Sequence, residues 1–163
     1  MNESEKRMHR VCFTGHRPEK LSRPEIAIKT DLEVQIRQAV ADGRNVFITG
    51  MARGVDIWSA QIVLKLRNDG MAIRLICACP YDGFEAGWSQ SWQREYKRIL
   101  KSADFVKYIC AGYCRSCFQI RNKWMVNHSS MVIAVFSNDA KGGTKNTIEY
   151  ARMTGVPVTC IQG

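Results

Sequence analysis

With 163 residues, the chain is long enough for one domain built around a single hydrophobic core. Hydrophobic residues make up 45% of it and charged residues 24%; no apolar run approaches membrane-spanning length, and the polar first ten residues do not resemble a secretory signal. We therefore expect a cytoplasmic protein without a membrane partner. The net charge of +9 favours anionic partners such as nucleotides or nucleic acid, although basic residues spread along a chain are also typical of a solvated surface.

Strand and helix patterns alternate along the chain. We predict a disordered tail over residues 1–9 and a single domain over 10–163. The first helix is predicted to begin at a capping box, residues 22–25, and to end near residue 42. The predicted strands are 10–14, 45–48, 72–78, 105–109, 131–136 and 157–161, and the further helices are 55–68, 88–99 with a cap near Ser89, 118–129 and 145–153. This alternation predicts an α/β fold, a Rossmann-like, doubly wound and mostly parallel sheet with helices on both faces.

Four loops of unusual composition follow predicted strands. They cover residues 15–18, 50–56, 80–88 and 137–147. In a parallel sheet these loops all emerge at the edge where ligands bind. Their convergence predicts a ligand site at this edge.

The second of these loops, Thr-Gly-Met-Ala-Arg-Gly-Val-Asp at 49–56, joins a buried strand to a helix. Gly50 is expected to take a positive φ, and Gly54, without a Cβ, lets a ligand or a neighbouring strand approach the helix start. The N–H groups of that first turn form an anion site, and Arg53 adds a planar cation beside it. A tight turn with a solvated arginine is the alternative.

Other residues of the loops suit a phosphate. Gly142, Gly143 and Thr144, followed by Asn146 and Thr147, can cradle a phosphate at a helix start, or can form a flexible loop with a helix cap. Two arginines can each clamp a phosphate or remain solvated. They are Arg17 and Arg121.

Aromatic and polar side chains complete the predicted pocket. Tyr81, Phe84 and Trp88 can stack on a ring, although Trp88 can also begin a core stripe. His16 can donate to a phosphate or serve only as a turn residue. The candidate ligand-binding residues are Gly15, His16, Arg17, Gly50, Met51, Arg53, Gly54, Asp56, Tyr81, Trp88, Arg121, Asn122, Gly142, Gly143, Thr144, Asn146 and Thr147.

A carboxylate and a group of thiols complete the candidate chemistry. Glu149, one helical turn past the glycines, is the candidate catalytic carboxylate; a solvated helix charge is the alternative. Cys110, Cys114 and Cys117 have a spacing compatible with zinc, with His128 as a distant fourth ligand. Since the chain has no second Cys-x-x-Cys pair, we expect no metal and reduced thiols.

Three segments resemble the YpsA-like family of the SLOG superfamily, which is named for Smf/DprA and LOG proteins. They are Val-Cys-Phe-Thr-Gly-His-Arg-Pro at 11–18, the 49–56 stretch, and Phe-Gln-Ile-Arg-Asn at 118–122. The last two are also similar to motifs in the Rossmann domain of the DNA-processing protein DprA. The resemblance, which runs from residue 11 to 161, implies a Rossmann-like fold and a site for a nucleotide or a derivative such as ADP-ribose or an NAD-like ligand.

The LOG branch of that superfamily contains phosphoribohydrolases with the motif Pro-Gly-Gly-x-Gly-Thr-x-x-Glu. Here only Gly142, Gly143 and Glu149 match, because Lys141 stands in place of Pro, and Lys145 and Asn146 in place of Gly and Thr. The DprA branch binds single-stranded DNA, but its members carry segments that this chain lacks.

Three hypotheses follow. The first is a nucleotide-ligand-binding sensor or regulator without turnover, with no certain cofactor. The second is an N-glycosidic hydrolase that uses Glu149, and the third is an accessory protein that binds single-stranded DNA. The sequence does not identify the ligand or the pathway. It also leaves the oligomeric state open, with a homo-oligomer among the alternatives.

Overall fold

Six parallel strands form one sheet in the computed structural model of the protein, which describes residues 1–138 and 142–163. The strand order is β4-β3-β2-β1-β5-β6. The strands are β1 (Arg10–Gly15), β2 (Val46–Thr49), β3 (Arg74–Cys79), β4 (Phe105–Tyr108), β5 (Met131–Phe136) and β6 (Val158–Gln162). The predicted Rossmann-like, doubly wound architecture is therefore confirmed, with 157–161 as an edge strand.

Helices cover both faces of the sheet. They are α1 (Glu3–Met8), α2 (Glu25–Ala41), α3 (Val55–Asn68), α4 (Gln90–Ser102), α5 (Cys117–Asn127) and α6 (Gly143–Met153), with a short 3₁₀ turn at Pro18–Lys20. One face packs against α2, α3 and α4, and the other against α5 and α6. Helices on both faces leave the strands buried on both sides, which explains their continuous apolar sequences.

Alternate residues of the central strands serve the two cores. In β1, Val11 and Phe13 point into the larger core under α2 and α3, and Cys12 points into the smaller core under α5 and α6. Phe13 stacks on Phe47 of β2, with ring centroids 5.9 Å apart. Burial of side chains of this size contributes about 1.5–3 kcal/mol each, so this layer anchors the sheet.

The chain runs in opposite directions from β1 and β5, which are neighbours in the sheet. From β1 it crosses over α2 to β2, and from β5 it crosses over α6 to β6 on the other side. Two loops therefore diverge at the carboxyl ends of adjacent strands and leave a crevice. This is the position at which doubly wound sheets bind ligands.

The N-terminal segment, predicted as a disordered tail, contains the helix α1. Asn2 and Glu5 form a reciprocal capping box, with the Glu5 N–H donating to Asn2 Oδ1 at 2.9 Å. Arg7 Nε donates to the Ser129 carbonyl at 3.0 Å and ties the helix to the domain. Local capping, the Arg7 contact and a hydrogen bond from Ser130 Oγ to the Met8 carbonyl at 3.0 Å order a segment that buries no side chain.

Two predicted helix starts differ in detail. The capping box at 22–25 does not form: α2 begins after Pro24 without a side-chain cap, because Ser22 Oγ instead donates to the Gly163 carbonyl at 3.0 Å. Ser89 does precede α4, but its hydroxyl contacts Ser91 and caps no backbone N–H. A tertiary contact thus replaces the expected cap at Ser22, and a neighbouring hydroxyl replaces it at Ser89.

Candidate functional site

A cavity of about 310 Å³ opens at the carboxyl ends of β1 and β5. The loop after β1, the start of α3, the segment before α4, one face of α5 and the start of α6 form its walls. Its lining residues are Phe13, Thr14, Gly15, His16, Arg17, Lys20, Ala52, Arg53, Asp56, Phe84, Trp88, Phe118, Arg121, Asn122, Met125, Gly142, Gly143 and Thr144. Eleven of the seventeen predicted ligand-binding residues are therefore brought together here.

The turn before α3 is built differently from the prediction. Met51, not Gly50, takes the positive φ, at 63°, and its side chain is fully buried in the core, away from the cavity. Gly50 instead provides space: a Cβ there would lie 2.8 Å from Arg121 Nη1 and 2.9 Å from Asp56 Oδ2. Glycine at position 50 thus lets a buried cation and a buried carboxylate approach the same backbone.

Gly54 makes room for the protein's own backbone and not for a ligand. Its φ is +89°, and a Cβ there would lie 2.7 Å from the His16 carbonyl oxygen. The Val55 N–H, at the start of α3, donates to that same oxygen at 3.4 Å. The predicted anion site at this helix start is therefore partly occupied by the loop after β1.

Arg121 and Asp56 form the floor of the cavity, and each is 5% exposed. Arg121 donates through Nη1 to the Gly50 carbonyl and through Nε to Asn122 Oδ1 at 2.7 Å. Burial lowers the pKa of Arg121. Its predicted role as a phosphate clamp is thus reduced, because two of its donors brace the turn and the neighbouring amide.

Asp56 accepts a hydrogen bond from the Ala52 N–H at 3.2 Å through Oδ2, while Oδ1 has no hydrogen-bond partner within the described part of the chain. Burial raises the pKa of Asp56 from 3.8 to about 6, against the opposing effect of the Arg121 charge. The cavity floor thus holds a carboxyl group that titrates near neutral pH and has room for one more donor.

Basic side chains stand at the rim. Arg53 is 27% exposed and its Nη2 lies 3.3 Å from Glu19 Oε1, while Arg17 Nε lies 3.7 Å from the same oxygen. Hydrogen bonding to its own backbone N–H, helped by the charges of Arg53 and Arg17, lowers the pKa of Glu19. Lys20 follows on the same loop, and its Nζ is 4.0 Å from where a Cβ of Gly142 would be.

The α6 start lies opposite these cations. Gly142 precedes the helix with a φ of +137°, and α6 begins at Gly143, two residues earlier than predicted. Gly143 and the buried Thr144 line the cavity. Residues 139–141 of the loop predicted at 137–147 lie outside the described residues.

Aromatic rings form one wall. Phe84 packs edge-on against Trp88, with centroids 5.0 Å apart, and tilts against Phe118 at 5.6 Å. Tyr81, predicted to stack on a ligand, instead contacts Phe84 and Tyr113, each at 5.8 Å, and does not line the cavity. Trp88 lines the cavity and also meets Tyr96 of the core, as its alternative role in a core stripe predicts.

A second cavity of about 230 Å³ adjoins the first and shares Phe118, Asn122 and Gly143 with it. Asn146 and Thr147 line this smaller space, and Thr147 Oγ1 donates back to the Gly143 carbonyl at 2.7 Å. Its other lining residues are Arg115, Gln119, Lys123 and Tyr150.

Glu149, the candidate catalytic carboxylate, lines neither cavity. Its side chain is 62% exposed and lies 3.8 Å from Lys145, one helical turn earlier. It stands two residues after the inward-facing Thr147, roughly 200° around the helix. The geometry fits the alternative of a solvated helix charge.

The described residues hold no group of three or more His, Cys, Asp or Glu side chains arranged to bind a metal. His128, considered as a fourth zinc ligand, stacks on Trp124 at 4.1 Å and contacts its carbonyl through Nδ1. His16 is buried beside Phe136, with ring centroids 5.5 Å apart.

Sequence reasoning did not single out several lining residues. Lys20 belongs to the loop after β1, but a lone exposed lysine carries no signal of its own. Phe118 does carry one, because it precedes Asn122 by four residues and so shares a helix face with it. Met125 continues that face.

A doubly wound α/β protein with a cavity at its topological switch point belongs to the Rossmann-like class of ligand-binding folds. Within that class, this chain belongs to the YspA SLOG family, whose YpsA model matches residues 11–161. The sequence-based assignment to the SLOG superfamily is thus confirmed.

Relatives and solved structures agree with this assignment. The chain is 27% identical to the UPF0398 protein BH1768 of Halalkalibacterium halodurans, over 87% of this chain and 79% of that protein. It is 26% identical to a UPF0398 protein of Bacillus thuringiensis, over 89% and 83%. DNA processing protein A from Helicobacter pylori, a structure described for its single-stranded DNA binding mode, superposes with a TM-score of 0.66 at 19% identity, over 97% of this chain and 66% of that one. The last match shows a shared fold.

No helix among the described residues has the length and apolarity to cross a membrane.

Proposed function

We propose that the larger cavity binds a nucleotide or a nucleotide derivative, and that the protein acts as a sensor or regulator without turnover. One observation carries the proposal: the start of α6 and the side chains of Arg17, Lys20 and Arg53 line one space of about 310 Å³. A helix start offers N–H donors and a partial positive charge, and the cations add to both. This volume lies within the usual range for small-molecule pockets, about 300–1,000 Å³.

The remaining walls suit the rest of a nucleotide. Phe118 and Trp88 offer apolar ring faces for a base. Asp56 offers the unpartnered Oδ1 as an acceptor, which a sugar hydroxyl would satisfy and a phosphate would not, because like charges repel. We therefore expect the ligand's phosphates at the rim of the cavity and its sugar towards the floor.

The absence of turnover in this proposal rests on Glu149, which is exposed and points away from both cavities. The hydrolase alternative requires a carboxylate near a glycosidic bond. Release of free base from a nucleoside monophosphate, lost in Glu149→Gln, would establish that alternative and refute the proposal.

A thermal-shift panel of nucleotides, ADP-ribose and nicotinamide dinucleotides tests the proposal. A ligand at about 100 times its Kd adds roughly 2.7 kcal/mol, which raises Tm by about 5–10 °C for a domain of this size. Arg53→Ala should remove most of the shift. Arg67→Ala is the matched control, because Arg67 is 26% exposed and also holds a carboxylate, Asp104 at 2.8 Å, but lies at the far end of α3.

Glu19→Gln gives the opposite expectation. The Glu19 carboxylate lies beside Arg53 and Arg17 and competes with a phosphate for these two cations. Neutralising Glu19 should therefore strengthen anion binding. If no ligand shifts the wild-type Tm, or if Arg53→Ala and Arg67→Ala keep the same shift, the proposal is wrong. Native mass spectrometry of freshly purified protein would also reveal a co-purifying nucleotide directly.

Single-stranded DNA is a second candidate ligand. The fold shared with DNA processing protein A and the net charge of +9 support it. The smaller cavity also combines the cations Arg115 and Lys123 with Tyr150, a mixture that suits stacked bases and phosphates.

Fluorescence anisotropy with a labelled oligonucleotide distinguishes the two candidates. We expect only non-specific binding at physiological salt, with a Kd of about 1 µM or weaker. The affinity should fall steeply as the salt concentration is raised, because binding releases counterions from the DNA. Nanomolar binding that Lys123→Ala weakens, with no nucleotide shift in Tm, would favour DNA as the ligand.

A further inference from the structure

Three cysteines lie on one loop beside the cavities. The segment 110–117, here named the thiol loop, connects β4 to α5. Its last four residues are Cys114, Arg115, Ser116 and Cys117, a Cys-x-x-Cys pair whose second member is the first residue of α5. Cys117 is fully buried, while Cys110 and Cys114 are partly exposed, and all are free thiols in this structure.

The backbone holds the pair at disulfide distance. The Cys117 N–H donates to the Cys114 carbonyl at 3.1 Å, which closes a four-residue turn. Such a turn brings its first and fourth Cα atoms within about 7 Å, and disulfides join Cα atoms about 4.4–6.8 Å apart. A bond between these two sulfurs therefore requires rotation of side chains and little movement of the main chain.

The surroundings make the two partly exposed thiols unequal. The Ser116 hydroxyl, 3.8 Å from the Cys114 sulfur, lowers the pKa of Cys114, and the thiols of Cys110 and Cys117 act in the same direction. Desolvation raises the pKa of Cys110. The start of α5 adds a partial positive charge beside the pair. Cys114 is therefore the more acidic of the two accessible thiols, and the buried Cys117 is its neighbour.

We propose that Cys114 and Cys117 are a redox-active dithiol, which hydrogen peroxide converts into a reversible disulfide. The Cys114 thiolate attacks one peroxide oxygen, the O–O bond breaks, and the departing hydroxide takes up a proton to leave as water. Cys114 is then a sulfenic acid. The Cys117 sulfur attacks it, the S–O bond breaks, and a second water leaves with the proton from Cys117. Two thiols are oxidised and one peroxide is reduced, and an external dithiol restores the pair by exchange.

The position of the pair links its redox state to the ligand-binding edge. Arg115 lies between the two cysteines and lines the smaller cavity, and Phe118 directly follows and lines both. A disulfide would fix the turn that carries these two side chains. The disulfide can form whichever ligand the cavities bind.

Oxidation of the full-length protein with hydrogen peroxide, followed by alkylation and peptide mass mapping, tests the proposal. The number of reactive thiols should fall from the seven of the reduced, denatured chain by two, with one disulfide between Cys114 and Cys117 that dithiothreitol reverses. At pH 7, alkylation of the folded protein should be faster at Cys114 than at Cys110. A bond between Cys110 and Cys114, a bond between molecules, or no loss of thiols would overturn the assignment.

Variants assign the steps. Cys117→Ser should stop the reaction at a sulfenic acid on Cys114 that dimedone traps, and Cys114→Ser should abolish it. Cys160→Ser is the control, because Cys160 is exposed on β6, far along the chain from the thiol loop, and its loss should leave the disulfide yield unchanged. Dimedone labelling of Cys160 in place of Cys114 would refute the proposal. If Cys117→Ser fails to fold, the peptide mass mapping of the oxidised wild-type protein still tests the proposal.

Discussion

Asp56 makes the stability of the protein fall as pH rises, and Asp56→Asn should remove that effect. The carboxyl group is buried, and its pKa is raised from 3.8 to about 6 because burial outweighs the Arg121 charge. The native state therefore holds the proton more tightly than the unfolded chain does. The stabilisation is complete below about pH 4 and is lost as pH rises through about 6.

The magnitude follows from the shift of about two pKa units. At about 1.36 kcal/mol per unit, the free energy of unfolding of the wild type should fall by about 2 kcal/mol, relative to Asp56→Asn, between pH 4 and pH 6.5, where most of the shift is titrated. Urea unfolding followed by tryptophan fluorescence, at half-unit steps of pH, measures both proteins. Their difference cancels the titration of every other group.

A difference that stays constant across this range would show that the Asp56 pKa is unshifted. A difference of opposite sign would show that Arg121 stabilises the charged carboxylate by more than burial costs it. Either result would refute the reasoning about the cavity floor. A carbon-13 titration of the Asp56 carboxyl would then give its pKa directly.

Gly54 and Arg121 give two further predictions. Gly54→Ala should lower the free energy of unfolding by about 3 kcal/mol, because it adds both positive-φ strain and a contact with the His16 carbonyl, whereas Gly83→Ala, at φ +85° with nothing within 4 Å, should lose only about 1 kcal/mol. Equal losses in chemical denaturation would mean that the close contact is easily relieved. Arg121→Met should lower the free energy of unfolding by about 3–5 kcal/mol, because it leaves the Gly50 carbonyl and a buried carboxyl without their cation; a loss below about 1 kcal/mol in the same assay would show that Arg121 is not structural.

The strand and helix positions could be predicted because this sheet is buried on both faces. Its strands are continuous apolar runs, and the helices between them carry stripes such as Ile28, Leu32 and Ile36. The contacts that could not be predicted join residues far apart in the sequence. The Ser22 hydroxyl leaves its expected cap for a carbonyl at the other end of the chain, Gly163.

The edge that carries the cavity could be predicted from topology, but the roles of single residues could not. Gly50 and Gly54 were correctly placed in the strand-to-helix turn, yet the space they leave is filled by Arg121 and by the loop after β1. Those neighbours are remote in sequence, so no local pattern reports them. Helical periodicity does separate Glu149 from the inward face that Thr147 and Ile148 define.

The position of β1 in the sheet matters for a chain still being synthesised. Val11 pairs with Phe47 on one side and with Met131 on the other. The first strand to be synthesised, β1, therefore gains its second partner only after β5 has been made. At about 5–20 residues per second, the nascent half-sheet of β1 to β4 exposes an unpaired apolar edge for several seconds. A chain truncated before β5 would expose β1 as an open apolar edge beside the natural edge at β4, and would lack the part of the cavity that the start of α6 forms, a species suited to recognition by chaperones.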